Sequence, residues 1–395
     1  MDIDTLRGQI PALRQVIYMN WGWSGAKPQP VLDAIARQMA FEAQESPTAP
    51  HVRTQQDDVQ AQGTVAFAGL LGASPEEVAL TQCTTEGINL ALNGLRLQRG
   101  ERIVTCNLEH PSILVPCYHL RHTASVDVEV VQLDTADGPA AVLSKFEAAL
   151  RQPTRLVALS HVAYCTGLRL PLREICDAAH RAGALVLVDG VQAFGQMPVD
   201  VHALGCDFYA VGGQKWLLGP DGVGALYIRR ELVERVLPTT VGPHAALEYD
   251  ARGRFVPDTS RVRKFEVSTT NIPLWAGMVA AARLVQDIGV GAIHERIDYL
   301  ARRLRSSLAR VPGLTFTSPA DPADGCGLVA FAVEGVPPKE ITEGIWQRVR
   351  AVGRSVTYPP ATRLAVHAFN TEDEIDWTAQ AVYEAAASAR KTAKG

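Results

Sequence analysis

The chain has 395 residues, 47% apolar and 20% charged, with a formal net charge of −4. This is the composition of an ordinary soluble globular protein, long enough for one large core and a smaller second unit. It argues against nucleic acid as a partner, because 38 Lys and Arg face 42 Asp and Glu and form no dense basic stripe.

The opening, MDIDTLRGQIPALRQ, has early acids and no apolar centre, so it does not read as a signal peptide. No later run approaches the roughly 18 apolar residues of a membrane span. From about residue 75 to 230, short apolar runs alternate with segments of helical period. Strands are expected over EEVALTQ, RIVTC, VDVEVVQL, RLVALSHV, ALVLVDG, DFYAVGG and GVGALYI. Several are continuous apolar runs, as strands buried on both faces are. Helices are expected between them, over TEGINLALNGL and PLREICDAAHRAG. That order implies an α/β domain with a mostly parallel sheet.

Residues 241–271 mix Gly, Pro and charge and are expected to form a connection and active-site loops. One long helical region is expected from near Pro273 to about Val311. TFTSP, CGLVAFAVEG, a helix over PKEITEGIWQRVRAV, then RSVTY and TRLAVHAF follow. The last helix opens with a capping box, in which Thr371 satisfies a free N–H and Glu374 reaches back. The expected division is 1–258, an N-terminal arm with the large domain, and 259–395, a linking helix with a small α/β domain. The closing ARKTAKG is expected to fray.

The seven cysteines (Cys83, Cys106, Cys117, Cys165, Cys176, Cys206 and Cys326) are odd in number and scattered, with no C-x-x-C. A disulfide framework or structural zinc does not fit, and a reducing, cytoplasmic compartment does.

Four places carry candidate chemistry. Lys215 follows an apolar strand and a Gly-Gly pair. Apolar surroundings lower a lysine's pKa and make its amine a nucleophile toward an aldehyde. Asp189 ends the very apolar ALVLVDG, where a carboxylate needs a positive partner such as a protonated pyridine nitrogen. Thr84 and Thr85 stand at the start of a helix, an arrangement suited to phosphate. His110, in a loop after a strand, could stack on a planar cofactor. Each has an ordinary use when read alone: an exposed loop lysine, a capping or metal-binding carboxylate, an N-cap threonine, a surface histidine. No His/Cys/Asp cluster supports a metal.

Taken together, Asp189-x-x-Gln192, the G-x-K-W around Lys215, Glu109-His110 and the closing R-x-x-x-x-x-N-T-x-x-E-I-D resemble the class V aminotransferase family. These are pyridoxal-phosphate (PLP) enzymes of fold type I that include cysteine desulfurases, isopenicillin N epimerase-like proteins and cysteine/cystine C–S lyases. The resemblance runs from Tyr18-Met19-Asn20 to the last helix. It implies that Lys215 bonds the cofactor aldehyde and later moves protons, and that Asp189 pairs the pyridine nitrogen. It implies that Gln192 approaches the ring hydroxyl, that His110 stacks on the ring, and that Thr84 and Thr85 hold the phosphate. Thr269 matches a threonine that reaches the phosphate of the partner in a homodimer. Arg363 matches the arginine that grips the substrate carboxylate, bidentately and so with fixed orientation. Three positions depart from the pattern. Gly212 and Gln214 stand where many relatives have Ser or Thr and His, and Gln214 remains able to donate to phosphate. Tyr164 replaces the asparagine of the desulfurases.

A desulfurase needs a thiolate just before the carboxylate arginine, and no cysteine lies between Gly335 and Arg363. Cys165 and Cys326 read better as small buried hydrophobes. Arg354, nine residues before Arg363, would suit a second carboxylate, and cystine C–S lyases resemble this chain in that spacing and in the opening from Tyr18 to Gly22 that carries Asn20. The expected activity is β-elimination on cystine or cysteine-type substrates, giving persulfide or sulfide, pyruvate and ammonia, with Asn20, Tyr164, Arg354 and Arg363 meeting the substrate. Epimerisation, desulfurase or selenocysteine lyase chemistry, transamination, and a non-catalytic sensor on the same fold are the alternatives.

Overall fold

Seven short strands, rich in Val, Leu, Ile and Ala, form the central sheet of the computed structural model, which describes residues 3–392. In spatial order they are Val78–Thr81, Gly224–Ile228, Phe208–Gly212, Leu185–Asp189, Leu156–Ser160, Arg102–Cys106 and Asp127–Val131. Every strand expected between residues 75 and 230 is present. Only Gly224–Ile228 runs against its neighbours, and the other pairs are parallel. The middle strands are buried throughout, as their unbroken apolar runs require. Ser160 and Asp189 lie opposite each other at the carboxyl ends of adjacent parallel strands. In an open α/β sheet that edge is where loops and helix N-termini converge on a ligand.

The second sheet has four antiparallel strands in the order Leu314–Phe316, Leu328–Val333, Pro360–Ala365 and Arg354–Thr357. Its register sets Arg354 directly opposite Arg363. The N-terminal segment crosses to this unit: Ile17–Tyr18 pairs in parallel with Ala351–Val352, and Asn20 bridges to Ala365. The arm thereby brings Gly22 and Trp23 over the gap between the two sheets. The capping box forms, with reciprocal bonds of 3.2 Å between Thr371 and Glu374. Its helix continues to Thr392 where fraying was expected, and residues 393–395 lie outside the described residues.

Two expectations are corrected. The single helical region after Pro273 is two helices, Ile272–Ile288 and Val290–Leu308, which meet at an angle of 76°. Gly289 between them has φ +88°, a left-handed conformation that breaks the helix and suits glycine. The 241–271 stretch forms short 3-10 turns and an antiparallel hairpin, Ala246–Tyr249 with Phe255–Pro257, and contributes nothing to this chain's own cleft. Two long helices ahead of residue 75, Gln29–Glu45 and Pro50–Leu71, were not anticipated. They pack on Ile272–Ile288. The ring of Trp275 fills the place of a side chain at Gly63, where a Cβ would stand 2.9 Å from Cε3.

Candidate active site

One cleft of about 260 Å³ opens at the carboxyl edge of the large sheet, and the arm and the small sheet close it. Its lining includes Thr84, Thr85, His110, Tyr164, Asp189, Gln192, Gln214, Lys215, Arg354 and Arg363. Ten of the twelve candidate residues therefore meet in one place, although they span 280 positions of sequence, from 84 to 363.

Lys215 sits in the turn after Phe208–Gly212, where its carbonyl accepts from Leu218 N at 3.0 Å. Gly25 packs against that carbonyl so closely that a Cβ would collide with it. Burial is the main force on the Lys215 ammonium and lowers its pKa to about 8; Asp189 opposes the shift, and Arg363 and Arg354 reinforce it. The amine is held ready to give up its proton near neutral pH. Asp189 is 3% exposed, and its Oδ1 accepts from Val191 N at 3.0 Å. Burial raises its pKa, and the Lys215 charge and the Val191 bond counter this. Such a carboxylate is best satisfied by a cation inside the cleft.

Gln192 acts as a strut. Its Nε2 donates to Gly22 O at 2.9 Å, and its Oε1 accepts from Trp216 Nε1 at 3.0 Å. It ties the arm to the turn that carries Lys215, so its amide is already engaged where the resemblance implied contact with a ring hydroxyl. Trp216 is also held by His367, whose Nε2 bonds its carbonyl at 3.1 Å and whose ring stacks on it at 5.9 Å.

His110 begins the Pro111–Ala124 helix. Its Nδ1 accepts from Ser112 N at 3.1 Å, a bond only the unprotonated nitrogen can accept. Burial and the Lys215, Arg354 and Arg363 charges lower its pKa to about 4, so a neutral ring faces the cleft, edge-on to Tyr164 at 5.0 Å. Behind it, the buried Glu109 accepts from Ser160 Oγ at 2.5 Å, Ser160 N at 2.9 Å and Cys106 Sγ at 3.2 Å.

The anion end lies at the N-terminus of the Thr84–Gly94 helix. Thr84 Oγ1 is sealed from solvent with no hydrogen-bond partner, while Thr85 Oγ1 pairs with Ser112 Oγ at 2.8 Å. Gly212 adjoins this end. A Cβ there would meet Thr84 Oγ1 at 2.9 Å and run into the Gln214 side chain, so Gln214 fills the space left by the absent side chain. At the other end, Arg363 is 1% exposed. Its Nη1 donates to Tyr164 O at 2.6 Å, but Nε and Nη2 have no partner. Burial and then the Arg354 charge lower its pKa to about 10. Arg354 lies flat on Trp23, its guanidinium carbon 3.7 Å from the ring centroid.

A buried unpaired hydroxyl and two unpaired guanidinium donors are costly unless a ligand completes them. Their chemistry, in one cleft with Lys215 and Asp189, suits a group with an anionic end, an aldehyde and a basic ring nitrogen, accompanied by a carboxylate substrate.

Two candidates fall outside the cleft. Asn20 is not in its lining; its Oδ1 is buried and unpartnered beside the bridge to Ala365. Thr269 is exposed in the stretch before Ile272–Ile288, away from this chain's cleft. Cys83, Ser112, Gly22 and Trp23 line the cleft and were missed as site residues. Cys83 and Ser112 are direct neighbours of residues already singled out, and Trp23 adjoins the opening motif, so adjacency was the available signal. Cys165 and Cys326 are buried, and burial holds their thiols up near 12 and 11. Among the described residues there is no cluster that could hold a metal, and no single helix is long and apolar enough to cross a membrane.

The chain is similar to a probable cysteine desulfurase of Methanothermobacter thermautotrophicus, 29% identical over 98% of both chains. It is likewise similar to an isopenicillin N epimerase of Amycolatopsis lactamdurans, 30% identical over 96% of this chain and 97% of the other. Among solved structures, the complex of the cystine C–S lyase C-DES with its product cysteine persulfide superposes with a TM-score of 0.88. That pair is 28% identical, over 96% of this chain and 99% of the other. The model of the family described as aminotransferase class-V matches residues 17–376, and with the cleft described above this places the chain in the class V aminotransferase family.

Proposed function

We propose that the protein is a PLP-dependent carbon–sulfur lyase that eliminates the β-sulfur of cystine, giving cysteine persulfide, pyruvate and ammonia. The observation that carries the reading is the convergence in one cleft of Lys215, Asp189, the unpaired hydroxyl of Thr84 and the unpaired donors of Arg363. The likeness to cysteine desulfurases and to a cystine C–S lyase supports sulfur amino acids as the substrate class.

Thr84, Thr85 and Gln214 would hold the cofactor phosphate at the Thr84–Gly94 helix N-terminus, Asp189 its ring nitrogen, and Lys215 its aldehyde carbon. When bound, PLP supplies an electron-withdrawing ring that takes up charge from a bond broken at the substrate Cα. The remaining work belongs to the chain. Arg363 fixes the α-carboxylate with its two free donors, turning the Cα–H toward Lys215. With a pKa of about 8, Lys215 is roughly one-tenth free amine at pH 7, against well under a thousandth for an ordinary lysine. Lys215 Nζ takes the Cα proton, the Cβ–S bond breaks, and its electron pair leaves on the persulfide sulfur. The eliminated three-carbon fragment hydrolyses to pyruvate and ammonia.

The same geometry bears on the choice of reaction. His110 is neutral, with Nδ1 tied to Ser112, and burial pushes the Tyr164 phenol above its ordinary value. Neither is a ready acid at neutral pH, and a persulfide leaves without one, whereas the thiolate of cysteine leaves less easily. Epimerisation needs an acid on the face of Cα opposite Lys215, and the neutral His110 does not suit that task. Arg354, on the same sheet face as Arg363, is placed for the distal carboxylate of cystine. We further propose a homodimer in which the exposed Thr269 reaches the phosphate end of the partner's cleft, and residence in a reducing compartment, in keeping with seven free thiols.

The test is to incubate purified protein with PLP and then with cystine, cysteine and other amino acids, measuring pyruvate, persulfide, alanine and Cα configuration together. Pyruvate and persulfide in equal amounts are expected from cystine. Alanine, or inversion without elimination, refutes the lyase reading in favour of a desulfurase or an epimerase. Borohydride reduction of the holoenzyme followed by peptide mapping should place the cofactor on Lys215, and a cofactor adduct on another lysine refutes the assignment. Light scattering on the holoenzyme that returns the mass of a single chain refutes the dimer.

A further inference from the structure

Seven cysteines are free thiols, and six of them are buried in the core. Cys83 alone is half-exposed, and it opens into the active cleft. Its backbone is firmly placed: the carbonyl accepts from Gly87 N at 3.3 Å and from Thr81 Oγ1 at 3.2 Å. Its position is the N-cap of the Thr84–Gly94 helix, yet its side chain makes no capping bond. The thiol is thus held at the anion end of the cleft without employment in the fold.

Two features suit this cleft to small anionic molecules. Thr84, the next residue, is 6% exposed with an unpartnered Oγ1. Arg363, 1% exposed, presents two unpartnered donors from the opposite end. The space that Cys83 borders can accommodate carboxylates on these donors, and in the reading above the substrate is itself a disulfide with two carboxylates. The cleft measures only about 260 Å³, so an amino acid tethered at Cys83 would occupy a large share of it.

We infer that Cys83 is a modification site for small amino-acid disulfides, and that the mixed disulfide formed there closes the anion end of the cleft to the cofactor phosphate. The Cys83 thiolate attacks one sulfur of cystine, and a new S–S bond forms as the old one breaks. The second half leaves as cysteine thiolate with the electron pair, and the thiol proton goes to solvent. No outside oxidant enters, and excess thiol reverses the exchange. A cofactor phosphate held by Thr84 and Thr85 would shield the adjoining Cys83, so the substrate would threaten only the unloaded protein. The inference rests on the proposed function for its choice of disulfide and of cofactor.

The experiment uses the full chain, stripped of cofactor and incubated with cystine, then mapped by peptide mass and titrated with PLP while the visible band is recorded. One cysteinyl adduct at Cys83 is expected, with cofactor affinity weakened by about tenfold or more and restored by dithiothreitol. Protein loaded with PLP beforehand should resist modification, and Cys83→Ser should take up cofactor equally before and after cystine. Adducts on other cysteines only, an adduct at Cys83 with unchanged cofactor uptake, or equal modification of loaded protein would each overturn the inference. Untreated protein that develops no visible band refutes the cofactor reading itself and is distinguished from these outcomes by the absence of any cystine step.

Discussion

Replacing Arg354 with Gln should cost activity on cystine and spare activity on a cysteine thioether with a single carboxylate. Arg354 and Arg363 are cross-strand partners, so both side chains leave the same face of the small sheet. Arg363 is almost wholly buried and is the better carboxylate clamp. Arg354 is half-buried on the exposed Trp23, so its bond to a second carboxylate is partly screened. A charge-assisted bond of roughly 1.5–3 kcal/mol discounted for that screening leaves about 1–2 kcal/mol, or about 5- to 30-fold in kcat/KM for cystine. The thioether should change by no more than about 3-fold. A second consequence has a definite sign. Arg354 is one of the charges that lower the Lys215 pKa. Removing a nearby cation favours the protonated amine, so the acid limb of the rate profile should move to higher pH. The assay is steady-state pyruvate release against pH for both substrates. Equal losses on the two substrates would refute a distal-carboxylate role, and an acid limb that moves down would refute the electrostatic argument.

Two buried histidines and one buried glutamic acid pull stability in opposite directions with pH. His161 and His367 are wholly buried and held at about 4. Each therefore loses about 3 kcal/mol of stability as pH falls from 6.5 through 4, because the unfolded imidazole takes the proton first. Glu109 is raised to about 7 by burial, so its contribution is greatest below 4.5 and is lost as pH rises through 7. Glu109→Gln should make the protein more stable at pH 8 by up to about 3 kcal/mol and should steepen the acid loss, both read from urea unfolding. A variant that parallels the parent at every pH would sink this account. Tyr358, at the tip of the hairpin bearing both arginines, accepts a bond of 3.1 Å from Asn107 Nδ2, and Asn107 is itself fastened to Leu133. Tyr358→Phe should raise KM for cystine by about 2- to 10-fold with little change in kcat, and a fall in kcat at constant KM would contradict a positioning role.

The seven strands were legible because each is a short apolar run between turn residues, and sheet strands buried on both faces leave that trace. The two helices before residue 75 were not. The buried stripe of Pro50–Leu71 includes Gln56 and Gly63 among Val52, Val59 and Phe67, so its apolar period is broken where tertiary contacts decide. Gln56 is buried, and Gly63 is covered by the Trp275 ring, facts that pattern alone does not contain. The break at Gly289 was similarly hidden, since glycine inside a helical pattern is ambiguous until its φ is known. For the site, residue types with obvious chemistry converged as the motif order implied. Cys83, Ser112, Gly22 and Trp23 adjoin the singled-out residues without chemistry that marks them, and only the fold separates the half-buried Cys83 from the six buried cysteines.

The unpaired polar atoms sharpen the functional argument beyond the resemblance. Eleven buried side-chain atoms among the described residues lack a hydrogen-bond partner, and three of them, Thr84 Oγ1, Arg363 Nε and Arg363 Nη2, belong to residues lining the one cleft. Each costs on the order of 1–3 kcal/mol until a partner is supplied. Nearby groups show that pairing was attainable: Glu109 has three donors around it, and Gln192 is bonded at both ends of its amide. Glu109 and Gln192 are thus satisfied while Thr84 and Arg363 stay open, although other unpartnered atoms, such as Asn20 Oδ1 and His367 Nδ1, lie outside the cleft. Supplying the missing partners should therefore stabilise the protein in two separable steps. PLP alone should raise the melting temperature through Thr84, and an unreactive dicarboxylate should add a further rise that depends on Arg363. Arg363→Gln should abolish the second rise and keep the first; a single rise lost entirely with either group would show that the two ends of the cleft do not act as distinct anion sites.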